Sequence, residues 1–326
     1  MTERQRVFSG MQPTGKAHLG NLIGAFSNWV AMQDDYETIY CVVDLHAMSG
    51  VYDPATFSND RIDLAKTMIA AGVDPKRSLL YYQSALPQHT ELYWIIGTIT
   101  GVGQLTRMTQ FKEKSDRSGQ SFGLLAYPVL QAADILIHRV NAVPVGDDQT
   151  QHLELTRDLA ERFNRRFGEV FPLPERITPE IGARVMSLQD PKEKMSKSDQ
   201  SVRATVFLTD TTDEIMKKVK SAVTDTGSEV SYDPEAKPGI SNLIEIFSYF
   251  TGRSIEGIVG EFASGGYGGF KLAVAEAVAS GIEPIREAYE GMSDSEVVRV
   301  MADSAERAKV SADATLEVVR AAVGLS

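Results

Sequence analysis

The chain has 326 residues, a length that suits two domains or one large one. Hydrophobic residues make up 43% and charged residues 24%, which is ordinary for a globular protein and excludes disorder or a fibrous repeat. Lys and Arg number 33 against 44 Asp and Glu, so the net charge is −11. This balance disfavours nonspecific coating of nucleic acid but leaves room for a local basic face that binds RNA.

The only cysteine, Cys41, excludes an internal disulfide and a multi-cysteine metal cluster. It lies in an apolar run over residues 39–43, which favours a buried strand position over a reactive thiol. The first residues are polar and show no secretory signal pattern. The apolar stretches are shorter than the roughly 20 residues needed to cross a bilayer. We therefore expect a cytoplasmic protein without membrane contact.

Strand and helix patterns alternate through the first part of the chain. Residues 7–8, 38–44 and 79–83 are rich in β-branched, aromatic and aliphatic side chains, whereas 19–33 and 60–71 show helical spacing. Such alternation predicts a parallel sheet with helical crossovers. Ligands in sheets of this kind bind beyond the carboxyl ends of the strands.

The second part of the chain changes character. Residues 112–120 are polar and have the composition of a loop, 143–148 predict a strand that ends in an acidic turn, and 151–167 predict an amphipathic helix. After about residue 200 the strand pattern disappears. Five mostly helical segments follow, at 212–223, 241–251, 254–262, 269–289 and 293–323. We therefore expect an α/β domain over 1–200 and an all-helical domain over 201–326.

Residues 10–21, which follow the first strand, contain two possible nucleotide-binding signals. The spacing of Gly10, Gly15 and Lys16 matches part of a phosphate-binding P-loop, but Ala17 stands where Ser or Thr should hold Mg²⁺. The alternative is a strand–turn–helix corner in which His18, Gly20 and Asn21 share the first helical turn. There a glycine lets a base or ribose approach the backbone, and the free N–H groups attract phosphate.

The second chemical segment, over residues 194–198, reads Lys-Met-Ser-Lys-Ser. Lys194 and Lys197 place two ammonium groups three residues apart in a small, polar stretch. Point charges on long side chains suit a polyphosphate that gains negative charge in a transition state. A solvated surface loop is the alternative for such a charge cluster taken alone.

The two segments together resemble the H-I-G-H and K-M-S-K-S signatures of class I aminoacyl-tRNA synthetases. The surrounding sequence is most similar to bacterial tryptophanyl-tRNA synthetases, and the resemblance covers nearly the whole chain. The similar stretches include 9–24, 132–136, 143–166, 182–198 and 220–242. Asn21 departs from the second histidine of the signature. It therefore offers an amide hydrogen bond in place of an imidazolium charge.

The resemblance implies a Rossmann-like parallel-sheet catalytic domain followed by a helical domain that meets the tRNA anticodon. It implies catalytic roles for His18, Asn21, Lys194 and Lys197, with ATP as substrate and Mg²⁺ carried by its phosphates. The remaining residues that it assigns to ATP are Gln12, Pro13, Thr14, Gly20, Gly146, Asp147, Asp148, Val185, Met195, Ser196 and Ser198. Lys112 and Lys114 could reach pyrophosphate from the polar loop, or be plain solvated lysines.

Asp134 stands in an apolar run, where a carboxylate is costly unless it is paired. From the pattern alone it could lie on a helix surface, but the resemblance makes it the acceptor for the indole N–H, which can only donate. The resemblance also assigns the other tryptophan-binding residues. These are Tyr127 and Gln149 at the ammonium, and Phe8, Val143, Val145 and His46 around the ring.

The implied function is tryptophan–tRNA ligation, in which L-tryptophan and ATP form tryptophanyl-AMP and the amino acid then passes to the 3′-terminal adenosine of tRNA(Trp). The implied assembly is a homodimer. The five histidines show no ligand spacing, so no protein-bound transition metal is expected. Two alternatives stay open at this point, namely a tyrosine-specific relative and a catalytically silent RNA-binding paralogue.

Overall fold

A computed structural model describes residues 4–112, 121–146, 149–178, 184–197, 199 and 201–325. Its centre is a sheet of five parallel strands in the order β3-β2-β1-β4-β5. The strands are β1 (Arg6–Met11), β2 (Glu37–Val42), β3 (Leu79–Tyr82), β4 (Ala142–Pro144) and β5 (Glu175–Ile177). The predicted parallel α/β sheet is thus confirmed, and all strands end at the same edge.

The central strands are buried on both faces because helices cover each side of the sheet. Every residue of β2 after Glu37 is buried, and Cys41 has no exposed surface, as the apolar run predicted. In the register of β1 and β2, Val7 lies beside Thr38 and Met11 beside Val42. This register brings the residues that follow Met11 to the same edge as those that follow Val42.

Seven of the helices in the described ranges before residue 178 connect or flank these strands. Helix α1 consists of three consecutive segments, the middle one a π-helical turn: Leu19–Asn21, Leu22–Phe26 and Ser27–Met32. The others are α2 (Asp44–Ala47), α3 (Pro54–Ala70), α4 (Gln88–Gly97), α5 (Val102–Leu105), α6 (Phe122–Leu136) and α7 (Thr150–Phe167). The Asp53 side chain caps α3 by accepting from the N–H of Ala55, and Pro54 suits its first turn.

The chain beyond residue 201 is helical, as predicted. Its helices are α8 (Thr212–Lys220), α9 (Pro238–Thr251), α10 (Ile255–Phe262), α11 (Gly266–Gly291) and α12 (Asp294–Val323). Thr211 and Glu214 form a reciprocal capping box at α8, and Ser293 caps α12. None of the helices in the described ranges is long and apolar enough to cross a bilayer.

The hydrophobic core is continuous across residue 200. Phe26 and Trp29 of α1 share one buried cluster with Ile244 and Phe247 of α9. The last helix, α12, packs against β3, where the N–H of Leu80 donates to a serine of that helix at 2.7 Å. The division into domains 1–200 and 201–326 stays a prediction. Helix α12, from the second of these ranges, completes the core of the first range.

Candidate active site

Helix α1 begins at a histidine whose ring is held in place. The Nδ1 atom of His18 accepts from the N–H of Gly20 at 3.1 Å, and the N–H of His18 donates to Asn21 Oδ1 at 3.0 Å. Since Nδ1 accepts, the neutral ring carries its hydrogen on Nε2. Burial and then the positive charges of Lys197 and Lys194 lower the pKa of His18 to about 4. The ring is therefore an uncharged hydrogen-bond donor at pH 7.

The structure brings the lysine segment against this histidine turn, although the two lie far apart in sequence. His18 forms an antiparallel bridge with Phe207, and the hydroxyl of Thr205 donates to the carbonyl of Ser196 at 2.8 Å. A Cβ placed on Gly15 would lie 3.8 Å from Cβ of Lys197. The loop before α1 and the lysine segment therefore form one surface. Gly10 lies inside strand β1, so the P-loop alternative is wrong.

The two lysines of this segment differ in exposure. Lys194 is exposed, whereas Lys197 is partly buried. Burial lowers the pKa of Lys197 from 10.5 to about 8, with a small opposing effect from the charge of Asp63. The fold thus holds one ammonium partly out of water. In that position its charge acts on a bound anion with less screening than at the surface.

A cavity of about 790 Å³ lies between the two segments. Residues predicted for ATP line most of it: Pro13, Thr14, His18, Gly20, Asn21, Lys194, Met195, Ser196 and Lys197. The rest of the wall consists of Gly15 and of five residues that were not predicted: Val51, Tyr52, Asp53, Phe57 and Asp60. Val185 is buried behind Gly20, where a Cβ on the glycine would lie 3.7 Å from Cβ of Val185. We refer to this space as the large cavity.

A second cavity, of about 460 Å³, lies beyond the ends of β1 and β4, and we refer to it as the small cavity. Every residue predicted for tryptophan lines it: Phe8, His46, Tyr127, Asp134, Val143, Val145 and Gln149. Gln12 and Gly146, predicted for ATP, line the small cavity and not the large one. Lys194 lines both cavities, so the two cavities adjoin at this residue.

Asp134 is buried on α6, so its interpretation as a helix-surface residue is wrong. Its Oδ1 lies 2.8 Å from Gln83 Nε2 and 2.8 Å from His89 Nδ1, while its Oδ2 lies 2.8 Å from His46 Nε2. Burial alone would raise the pKa of Asp134, but hydrogen bonds from the two histidines outweigh it and lower the pKa to about 2. The small cavity therefore contains a fixed, ionised carboxylate.

Tyr127 faces the same cavity and lies on the same face of α6 as Asp134, two turns earlier. Its hydroxyl lies 2.8 Å from His152 Nε2 and donates to Gln110 Oε1 at 3.0 Å. Burial raises the pKa of Tyr127 to about 12. A phenol that stays neutral and is fixed by two neighbours presents its oxygen in one orientation.

Sequence reasoning missed two of the residues that hold Asp134. Gln83 and His89 come from the turn after β3 and from α4, and neither carries a local motif. The network continues beyond them: His89 Nε2 lies 3.0 Å from the hydroxyl of Tyr81, which lies 2.7 Å from His138 Nε2. Nδ1 of His138 in turn lies 2.8 Å from Oγ of Ser311 on α12. A buried polar chain therefore runs from the small cavity to the last helix.

Some predicted residues lie outside the described part of the chain. These are Lys114, Asp147, Asp148 and Ser198. Lys112 is described and lines neither cavity.

The profile of the family described as tRNA synthetases class I (W and Y) matches residues 1–281. The chain therefore belongs to the class I tRNA synthetases of this tryptophan and tyrosine family. A tryptophan–tRNA ligase from Caldanaerobacter subterraneus subsp. tengcongensis is 49% identical over 322 residues, covering 98% of each chain. One from Helicobacter pylori is 45% identical over 324 residues and 99% of each chain.

Solved structures agree with the sequence comparison. Tryptophanyl-tRNA synthetase from Mycoplasma pneumoniae superposes with a TM-score of 0.89 at 30% identity, covering 99% of each chain. The Campylobacter jejuni enzyme, solved as a complex with ADP and tryptophan, gives 0.86 at 31% identity over 98% of this chain and 100% of that one. Within the family, the chain groups with the bacterial tryptophanyl-tRNA synthetases.

Proposed function

We propose that this protein is a tryptophan–tRNA ligase that works in two steps. It first joins L-tryptophan to AMP with release of pyrophosphate, and then passes the tryptophan to the 3′-terminal adenosine of tRNA(Trp). The observation that carries this proposal is the position of Lys194, which lines both cavities. The amino-acid carboxylate must meet the α-phosphorus of ATP at such a junction. The relatives named tryptophan–tRNA ligases support the choice of amino acid.

In the first step the tryptophan carboxylate attacks the α-phosphorus, and the bond to the pyrophosphate oxygen breaks. No protein nucleophile is required, so the protein contributes alignment and charge neutralisation. Neutral His18 donates a hydrogen bond from Nε2 to the nucleotide, and Asn21 holds the backbone of that histidine. Lys197 and Lys194 stabilise the charge that moves onto pyrophosphate.

The small cavity suits an indole because of how Asp134 is held. A carboxylate offers about four lone-pair sites. Three donor groups, from Gln83, His46 and His89, already contact its oxygens. Space for roughly one more donor remains, and the indole N–H fills it. Phe8 supplies part of the apolar wall around the ring.

Four parts of the proposal rest on the family resemblance. The helical region over 201–326 meets the tRNA anticodon, the enzyme works as a homodimer, and it acts in the cytoplasm. Mg²⁺ arrives with ATP and is held mainly by the phosphates. Among the described residues, no group of three His, Cys, Asp or Glu side chains is placed to bind a metal. Mg²⁺ in phosphoryl-transfer sites generally binds through the substrate phosphates.

Exchange of labelled pyrophosphate into ATP, measured with each of the twenty amino acids, tests the proposal. We expect exchange with tryptophan alone, followed by charging of tRNA(Trp). Lys194→Ala should lower the exchange rate by about 10²-fold or more, whereas Lys192→Ala, at an exposed position that lines neither cavity, should leave it unchanged. Exchange with tyrosine would instead identify a tyrosine-specific enzyme, and no exchange with any amino acid would identify a silent paralogue.

A further inference from the structure

A third cavity, of about 500 Å³, lies at the opposite edge of the sheet from the candidate active site. Its walls come from the amino ends of three neighbouring strands, represented by Arg6 in β1, Glu37 in β2 and Leu79 in β3. Helix α12 closes one side with Arg307 and Ser311. We refer to it as the arginine cavity. Its volume falls in the range of small-molecule sites, about 300–1,000 Å³.

Charge sets this cavity apart from the rest of the molecule. Its lining includes four arginines, Arg6, Arg77, Arg139 and Arg307, against a single acidic residue, Glu37. The whole chain carries a net charge of −11, so this concentration of positive charge runs against the overall balance. Guanidinium groups bind phosphate through paired, planar N–H donors.

Three of the four arginines have protein partners. Arg6 donates to the carbonyl of His138 at 2.8 Å and pairs with Glu37, and Arg307 donates to backbone carbonyls. Arg77 pairs with Asp34 at 2.5 Å, but both side chains are well exposed. An exposed pair of this kind contributes little and exchanges readily. The cation of Arg77 is thus easily redirected to a ligand in the cavity.

Arg139 is different, because within the described part of the chain its guanidinium has no partner. Its Nε atom is buried without a hydrogen bond, as is Nε of Arg6, but Arg6 has partners at its other guanidinium nitrogens and Arg139 has none within the described ranges. Its φ of 49° lies in the left-handed region, and among the described residues no other non-glycine has a positive φ. Buried polar groups are normally paired. The left-handed φ is explained by the end of α6, where the N–H groups of Arg139 and Val140 donate to the carbonyls of Leu136 and Ile135. A hydrogen-bond acceptor from outside this chain would satisfy the guanidinium group of Arg139.

We propose that the arginine cavity binds a small anion carrying two or more phosphate groups. Several guanidinium groups around one space favour an anion with spread charge over a single carboxylate. The lining side chains lie at the amino ends of the strands, whereas catalysis is assigned to the carboxyl ends. This site therefore stands independently of the proposed function.

Isothermal titration of the full-length protein tests the proposal, with inorganic tripolyphosphate and GTP as the two probes. Tighter binding of tripolyphosphate would indicate a free polyphosphate as the ligand, and tighter binding of GTP would indicate a nucleotide. Wild-type protein should bind two tripolyphosphate ions per chain, one in each location. Lys197→Ala should weaken the one in the large cavity, and Arg139→Asn should weaken the other about tenfold or more. Asparagine tolerates the left-handed backbone, so this variant should fold.

Arg299→Asn is the control for the change of arginine to asparagine. Arg299 is exposed on α12, the helix that closes the cavity, but does not line the cavity itself. This variant should bind both ions like the wild type. Arg77→Gln provides a second variant that removes only an exposed pair, and it should also weaken the Arg139-dependent site. The proposal is overturned if neither probe binds outside the large cavity, or if Arg139→Asn and Arg299→Asn bind alike.

Discussion

Replacing Lys197 with methionine separates what this side chain does in catalysis from what it does to stability. Methionine keeps an unbranched chain of similar length but removes the ammonium group. In the free protein that ammonium is partly buried, and its pKa falls from 10.5 to about 8. The folded state therefore holds the charge less favourably than the unfolded chain does.

The size of this penalty follows from the pKa. One pKa unit corresponds to about 1.4 kcal/mol. The displacement from 10.5 to about 8 then amounts to about 3 kcal/mol, and solvent contact at the partly exposed side chain reduces it to about 1–3 kcal/mol. Lys197→Met should raise the free energy of unfolding at pH 7 by that amount. The same change should lower the rate of tryptophan activation by about 10²–10³-fold, with little loss of tryptophan affinity.

The stabilisation must depend on pH with a definite sign. Because the folded pKa lies below the unfolded one, the penalty is fully present below about pH 8 and disappears as pH rises from 8 toward 10.5. The difference in stability between Lys197→Met and wild type should therefore be largest at pH 7 and shrink at pH 9.5. The rate of tryptophan activation should also fall over this alkaline range, because Lys197 of the free enzyme loses its proton there.

Urea unfolding at pH 7 and pH 9.5 measures the stability difference, and pyrophosphate exchange measures activation. Lys192→Met serves as the control, because Lys192 is exposed and lines neither cavity. A variant that is less stable than wild type at pH 7, or a difference that stays constant with pH, would refute the reasoning. If the rate of activation is unchanged and only the ground-state affinity for ATP becomes weaker, Lys197 does not stabilise the transition state.

Three further substitutions test the geometry. Asp134→Ala should destabilise the fold by about 3 kcal/mol. It should also lower the preference for tryptophan over tyrosine, measured as the ratio of kcat/KM values, by at least about tenfold. An unchanged preference would mean that Asp134 does not contact the indole. Gly20→Ala would place a Cβ 3.0 Å from the ring of the histidine that begins α1, and should raise KM for ATP and lower kcat by about tenfold. Gly281→Ala would place a Cβ 2.2 Å from Phe250 and should lower urea stability by about 1–3 kcal/mol. Gly268→Ala, which meets open space, should not lower it.

The parallel sheet could be predicted because its strands are buried on both faces. Burial of this kind forces nearly continuous runs of β-branched, aromatic and aliphatic residues, as in β2. Strand β5 (Glu175–Ile177) escaped prediction for the opposite reason. It has three residues, two of them exposed, so it carries no apolar pattern. Its place in the sheet comes from pairing with β4.

From the residues alone, the candidate site was predictable only where its residues follow one another in sequence, and the scattered residues of the small cavity came from the family resemblance. The histidine turn and the lysine segment are each short and contiguous, so their chemistry can be recognised locally. That they adjoin could be expected from the family resemblance alone, and the structure shows the contact through Gly15 and Lys197. The division between cavities was not predictable, and Gln12 illustrates this, since it follows β1 directly yet lines the small cavity.

The residues that fix Asp134 explain why a carboxylate in an apolar helix can be a stable part of the fold. Isolated, it would be costly to bury, but Gln83, His46 and His89 surround it with donors before any substrate arrives. Each donor comes from a different element, and the chain of contacts extends through His138 to Ser311 on the last helix. A buried polar network of this kind favours one arrangement of the core. The small cavity and the last helix are therefore joined by one buried network, and under the proposed function we expect Asp134 to keep its position when the indole binds.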